Sequence, residues 1–149
     1  MRAVVQRVKE ASVVVENIEI SRIKNGILVF LGIEDSDSDK DFEYIFKKVV
    51  NLRIFDDENS VMNKSMLDVK GELLVVSQFT LYGDARKGNR PSYIRAAKFE
   101  NGIYYYEKFI EAADNLGITT KSGEYGADMD VSLINDGPVT ILLDSEKVF

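Results

Sequence analysis

The chain contains no histidine and no cysteine, which narrows the chemistry open to it. Its most suggestive polar residues stand where an apolar run stops. In VVSQFTLYG, Ser77, Gln78 and Thr80 follow Val75 and Val76 directly. A hydroxyl at Ser77 or Thr80 could act as a nucleophile, while main-chain N–H groups around Phe79 and Thr80 could hold an oxyanion. Neither hydroxyl has an imidazole to serve as base, and no Ser-His-Asp arrangement can form. Zinc loses its usual ligands, so no metal site is expected. Spacing alone leaves two readings open: an active site at a strand end, or a strand fraying into a polar loop. Pleating sends Ser77 and Phe79 to one face and Gln78 and Thr80 to the other, so a shared pocket requires a bend between them.

A second segment, NDGPVT at 135–140, lies between the strand-like runs VSLI and ILLD. It carries one of only two prolines in the chain, and proline removes a ladder donor. Asn-Asp-Gly suits a hairpin turn, with Pro138 opening the next strand. The alternative is a short piece of main chain presented to a ligand. The densest cations, Arg86, Lys87 and Arg90 in ARKGNR, read either as a solvated loop or as contacts for RNA phosphates. Two look-alikes fail. DSDSDKDFE (35–43) has the alternating acids of a calcium loop, but Lys40 takes the glycine position and Phe46 the bidentate glutamate position. GDARKGNR (83–90) has P-loop glycines followed by Asn89 and Arg90 instead of lysine and a hydroxyl.

The elements that must position these residues follow from periodicity. Residues 2–8 and 11–16 read as two valine-rich strands joined near Lys9-Glu10, and GILVFLGI (26–33) as a strand buried on both faces. Phe42, Ile45, Phe46, Val49 and Val50 mark an amphipathic helix capped by Ser38 or Asp39. FDDENSVMNKS reads as a polar loop and GELLVVSQF (71–79) as a central strand. A second helix is expected from Phe99 to Leu116, ended by Gly117. The last third reads as strand, tight turn, strand. Together, 1–149 is expected to form a single α+β domain, its largely antiparallel sheets making a barrel-like core flanked by two main helices. A net charge of -6 disfavours indiscriminate nucleic-acid binding. The apolar runs are too short to cross a bilayer and MRAVVQRVKE lacks a signal core, which places the protein in the cytoplasm.

Taken together, VVSQFTLYGDARKGNRPSY, GADMDVSLINDGPVTILL, the opening MRAVVQRVKEASVVVE and NLRIFDDEN resemble the D-aminoacyl-tRNA deacylase family over essentially the whole chain. The departure is Tyr125 in GEYGADM, where phenylalanine is expected. The resemblance implies a cofactor-free homodimer that hydrolyses the ester of D-aminoacyl-tRNA, and of glycine mischarged on alanine tRNA, while sparing L-aminoacyl-tRNA. It implies that Ser77, Gln78, Phe79, Thr80 and Leu81 floor the pocket, the first four as catalytic residues. Gly137 and Pro138 would form a Gly-cis-Pro pair inserted into the partner's pocket, with Val139, Thr140, Met129 and Arg7 shaping or holding the site. No membrane or DNA partner is expected. A non-catalytic RNA- or nucleotide-binding module, built on Arg86, Lys87, Arg90, Tyr82 and Tyr93, is the rival reading.

Overall fold

The valine-rich opening forms one long strand, β1 (Arg2–Val15), in the computed structural model, which describes residues 1–149. This corrects the expected break at Lys9-Glu10. Those two residues are exposed but continue the strand, with only a local irregularity in its pairing. The turn comes later, at Glu16 and Asn17, whose φ values of 49° and 65° suit a tight hairpin. It leads into β2 (Ile18–Ile23) and then β3 (Gly26–Gly32). The hairpin escapes a search for Asn-Gly because glutamate supplies one of its left-handed positions.

Helix α1 (Asp39–Asn51) buries Phe42, Ile45, Val49 and Val50, as its spacing predicts. At its start the Asp41 carboxylate accepts both the main-chain N–H (2.9 Å) and the hydroxyl (2.7 Å) of Ser38. The expected polar loop instead contains a small hairpin, β4 (Phe55–Asp56) with β5 (Met62–Lys64), and is followed by the one-turn helix α2 (Met66–Val69). Strand β6 (Glu72–Ser77) stops at Ser77 and gives way to a 3-10 turn, Phe79–Tyr82. Helix α3 (Phe99–Asn115), β7 (Thr120–Ser122) and β8 (Asp130–Asp144) complete the chain.

The strands run β2-β1-β3-β6-β7, with β8 also paired to β1. Because β2 and β3 divide the length of one edge of β1, β8 takes the other. All three pair antiparallel with β1, whereas β3–β6 and β6–β7 are parallel. The mixed sheet curls until β2 approaches β6 and β7, nearly closing a barrel. Strand alternation then builds two apolar layers. Ile27, Val29, Leu31, Leu73 and Val75 face α1 and α3, while Leu28, Leu74 and Val76 join Val8, Ala11 and Val13 in the other layer. No helix is long and apolar enough to cross a membrane.

The last third is not a hairpin. Both halves of β8 pair in the same direction with β1, Asn135 opposite Val8 and Thr140 opposite Gln6, leaving Arg7 opposite Asp136, Gly137, Pro138 and Val139. The chain loops out of the ladder and returns to it. Proline has no N–H to offer a neighbouring strand, so the segment containing it leaves the sheet without opening a new turn.

Candidate active site

The chain bends at Gln78 (φ -144°, ψ 79°) as it passes from β6 into the 3-10 turn, the bend that a shared pocket requires. Ser77, Gln78 and Phe79 line a cleft of about 420 Å³ with Phe99, Tyr125 and Met129. Its fourteen lining residues include ten hydrophobic ones, so a carbonyl held there would sit among apolar walls with few polar groups, as ligand sites commonly do. Thr80 and Leu81 do not line it. Thr80 is exposed, and its hydroxyl accepts a hydrogen bond from Gln78 Nε2. Leu81 points back toward the sheet, where a β-carbon at Gly32 would lie 3.0 Å from its own.

A cation–aromatic clamp holds the turn. Arg2 donates to the Leu81 carbonyl at 3.0 Å, and its guanidinium carbon lies 4.7 Å from the centre of the Tyr82 ring. Arg95 approaches the same ring at 5.4 Å. Both arginines are pinned in turn, Arg2 by Asp144 (3.0 Å) and Arg95 by Glu34 (2.6 and 2.8 Å) and Glu146 (2.8 Å). Burial, with the nearby carboxylates, pushes the Tyr82 phenol well above its usual pKa. Its role here is as a neutral ring between two cations.

Gly137, Pro138, Val139, Thr140 and Arg7 form a separate cluster outside the cleft of their own chain. The Gly137-Pro138 peptide is cis, and both residues are exposed at the tip of the bulge. Asn135 fastens its base. The side-chain amide donates to the carbonyls of Arg7 (2.9 Å) and Val139 (3.0 Å), and its oxygen accepts from Gln6 and Thr140, each at 3.3 Å. One side chain thus supplies donors that the proline-containing stretch cannot. Arg7, largely buried, donates to the Ile54 carbonyl at 2.6 Å and pairs with Asp136 at 3.0 Å. The latter is an ion pair without hydrogen-bond alignment. Among the expected RNA contacts, Arg86 is tied bidentately to Asp84 (2.8 and 2.6 Å), while Lys87 and Arg90 are exposed.

A family model described as D-Tyr-tRNA(Tyr) deacylase matches residues 4–144. The chain belongs to the D-aminoacyl-tRNA deacylase family. The protein named D-aminoacyl-tRNA deacylase in Thermosipho africanus (strain TCF52B) is 56% identical over 149 residues, covering 100% of both chains. The protein of that name in Clostridium tetani (strain Massachusetts / E88) is likewise 56% identical, again over 100% of both. Among solved structures, the one titled "c-Myc DNA Unwinding Element Binding Protein" superposes with a TM-score of 0.90 at 43% identity, covering 97% of this chain and 98% of its own. A probable eukaryotic D-amino acid tRNA deacylase shares the fold, with a TM-score of 0.81 at 18% identity over 96% and 98% of the two chains.

Within this deacylase-family chain, Tyr125, where phenylalanine was expected, has its hydroxyl seated by packing. A β-carbon at Gly102 would lie 1.8 Å from the Tyr125 hydroxyl, so that hydroxyl rests against the bare backbone of α3. The ring stacks edge-on with Phe99 at 5.3 Å and is tilted against Tyr106 at 5.4 Å. Met129, expected to shape the site, lines the cleft; sequence reasoning missed the Tyr82 clamp and Asn135. Asn135 alone carried a local signal, as the first residue of the bulge.

Proposed function

We propose that this chain hydrolyses the ester joining a D-amino acid to the 3′ end of tRNA, and glycine mischarged on alanine tRNA, while leaving L-aminoacyl-tRNA intact. The observation that carries this reading is the 56% identity, end to end, with a D-aminoacyl-tRNA deacylase. The cleft at Ser77–Phe79 takes the aminoacyl group, and Gly137 and Pro138 reach into it from a second copy of the chain. The exposed, side-chain-poor tip of the bulge supports that role. Main-chain carbonyls there meet the substrate ammonium and leave room at Cα for hydrogen only. An L side chain would strike main chain, a D side chain points outward, and glycine has none to reject.

The apolar surface supports a homodimer. Val4 pairs with Phe30 on one side and Leu142 on the other, extending the Leu28–Val76 layer outward. Leu142 is 55% exposed beside Val4, an apolar patch that a second copy would cover. The protein works in the cytoplasm, where charged tRNA circulates.

Water performs the attack, assisted by the 2′-hydroxyl of the terminal adenosine. The C–O bond to the 3′ oxygen breaks, and that oxygen takes a proton to become the free 3′-hydroxyl. The amides of Phe79 and Thr80, which begin a 3-10 turn and so have no partner within it, hold the oxyanion. Thr80 is a poor nucleophile, because its oxygen already accepts from Gln78 and no base adjoins it. Incubation with D-Tyr-tRNA and L-Tyr-tRNA tests the reading: D-tyrosine alone should be released, and release of neither would overturn it. Replacing the terminal 2′-hydroxyl by hydrogen should slow turnover sharply, and an unchanged rate would exclude its assistance.

One observation favours a second reading, a nucleic-acid-binding module. The solved structure at 43% identity is titled as a DNA-element-binding protein. Binding of tRNA without D-selective release would support it.

A further inference from the structure

The densest set of free cations lies not in the 86–90 loop but at the end of α1. Lys47, Lys48 and Arg53 are exposed there around a shallow cleft of about 580 Å³, whose remaining lining is Tyr44, Asn51 and Leu52. No carboxylate comes within ion-pair distance of any of the three, whereas Arg86 in the loop is neutralised by Asp84. Glu43, one turn before Lys47, makes no pair with it, and Asp68 only feels the field of Arg53. The Tyr44 ring helps order the patch, with the Lys48 ammonium 5.7 Å from its centre and that of Lys147 at 5.5 Å. One cation in the last turn is explained by the helix dipole. That explanation does not extend to a cluster continuing past the helix end to Arg53, joined by Lys147 from the C-terminus, in a chain of net charge -6.

The patch is placed at the bulge end of the molecule. Arg53 precedes Ile54, whose carbonyl accepts from Arg7 at 2.6 Å. Arg7 in turn pairs with Asp136, and its Nη2 lies 3.1 Å from where a Gly137 β-carbon would stand. Whatever meets the tip of the bulge therefore comes close to Arg53, the member of the patch nearest it. We propose that Lys47, Lys48 and Arg53 dock the sugar–phosphate backbone of the tRNA whose aminoacyl end occupies the partner's cleft. One copy then supplies the pocket and the other both the chiral gate and the electrostatic handhold. The inference rests on the deacylase reading and adds the surface that reads the tRNA body. Each phosphate neutralised releases counterions, contributing about 0.7–0.9 to the slope of log affinity against log salt.

The test compares full-length protein with a Lys47→Ala, Lys48→Ala, Arg53→Ala variant on D-Tyr-tRNA and on D-tyrosyl-adenosine, alongside filter binding of uncharged tRNA. At about 0.15 M salt the variant should bind tRNA roughly thirty- to a hundredfold more weakly, with a salt slope lower by about 2–3. The concentration giving half-maximal single-turnover hydrolysis of D-Tyr-tRNA should rise by the same factor, while hydrolysis of D-tyrosyl-adenosine stays unchanged. Unaltered tRNA affinity and salt slope would overturn the proposal, as would an equal loss on both substrates. If the unmodified protein releases D-tyrosine from neither, the deacylase reading fails on its own, and filter binding still decides whether the patch holds RNA.

Discussion

Asn135→Ala isolates the hold on the bulge. Asn135 satisfies the carbonyls of Arg7 and Val139 at 2.9 and 3.0 Å and accepts two weaker contacts at 3.3 Å. Each half-buried carbonyl left without its donor costs about 1 kcal/mol, and the two longer contacts add little, giving about 2–3 kcal/mol in all. With a urea slope of about 1–3 kcal/mol/M, the unfolding midpoint should fall by roughly 1–2 M. Asn135→Asp keeps the volume but replaces both donors with acceptors, so it should be at least as damaging. Thr140→Val removes two long, exposed contacts, a donation to Asn135 at 3.3 Å and an acceptance from Gln6 at 3.2 Å, and should cost under about 1 kcal/mol. Turnover of D-Tyr-tRNA should fall about a hundredfold in both Asn135 variants, the usual consequence of an ångström's misplacement in a positioned site. Wild-type midpoints and turnover in Asn135→Ala would refute the view that this amide fastens the bulge.

Thr80→Ala should keep D-Tyr-tRNA turnover within about tenfold of wild type, since its hydroxyl is exposed and engaged by Gln78; an acyl group trapped on Thr80 and seen by mass spectrometry would refute this. Gly137→Ala should cost about 1–3 kcal/mol by urea titration, because φ is +115° and a β-carbon would meet Val139 Cγ2 at 2.8 Å; a neutral effect would show that the bulge yields freely. Burial raises the pKa of Tyr106, whose hydroxyl is shared between the carbonyls of Val75 (2.9 Å) and Gly123 (3.1 Å). A phenol with a raised folded pKa contributes stability that is complete below its unfolded value near 10 and lost as pH climbs past it toward the folded value. Urea titrations from neutral to alkaline pH should therefore show stability falling above about pH 10, and less steeply in Tyr106→Phe; identical slopes would exclude Tyr106 as the source.

Long periodic segments were legible because one face dominates their burial. Phe42 through Val50 marked α1 and the 99–116 run marked α3, since a helix stripe needs no knowledge of its partner. Strand connectivity was less legible. Lys9 and Glu10 look like a turn because they are charged, yet a strand paired on both sides can keep two charged residues at an exposed irregularity. NDGPVT has hairpin chemistry, and only the pairing of both its flanks with β1 reveals a bulge. The family resemblance implied Ser77 to Leu81 as a group, and the 3-10 turn divides it: Ser77, Gln78 and Phe79 face the cleft, while Thr80 and Leu81 do not line it. The Tyr82 clamp was invisible because its parts come from residues 2, 34, 82, 95, 144 and 146.

One strand anchors both the Leu81–Tyr82 turn and the bulge. Arg2 holds the Leu81–Tyr82 end of the turn, whereas Gln6 and Arg7 hold the bulge. At about 3.3 Å per residue, these anchors stand roughly 16 Å apart along β1, farther than an aminoacyl ester spans. That spacing along β1 fits the proposed function, in which a second copy of the chain would bring its bulge to this cleft. Complementation decides the point. Ala127→Phe fills the cleft, where Ala127 is a lining residue, and Gly137→Val spoils the bulge; each alone should be nearly inactive. After co-refolding equal amounts, random pairing in a two-fold dimer makes about half the molecules mixed, each with one intact cleft facing one intact bulge, for about a quarter of wild-type activity. If cleft and bulge acted within one chain, every site in the mixture would carry a defect, and no activity would return.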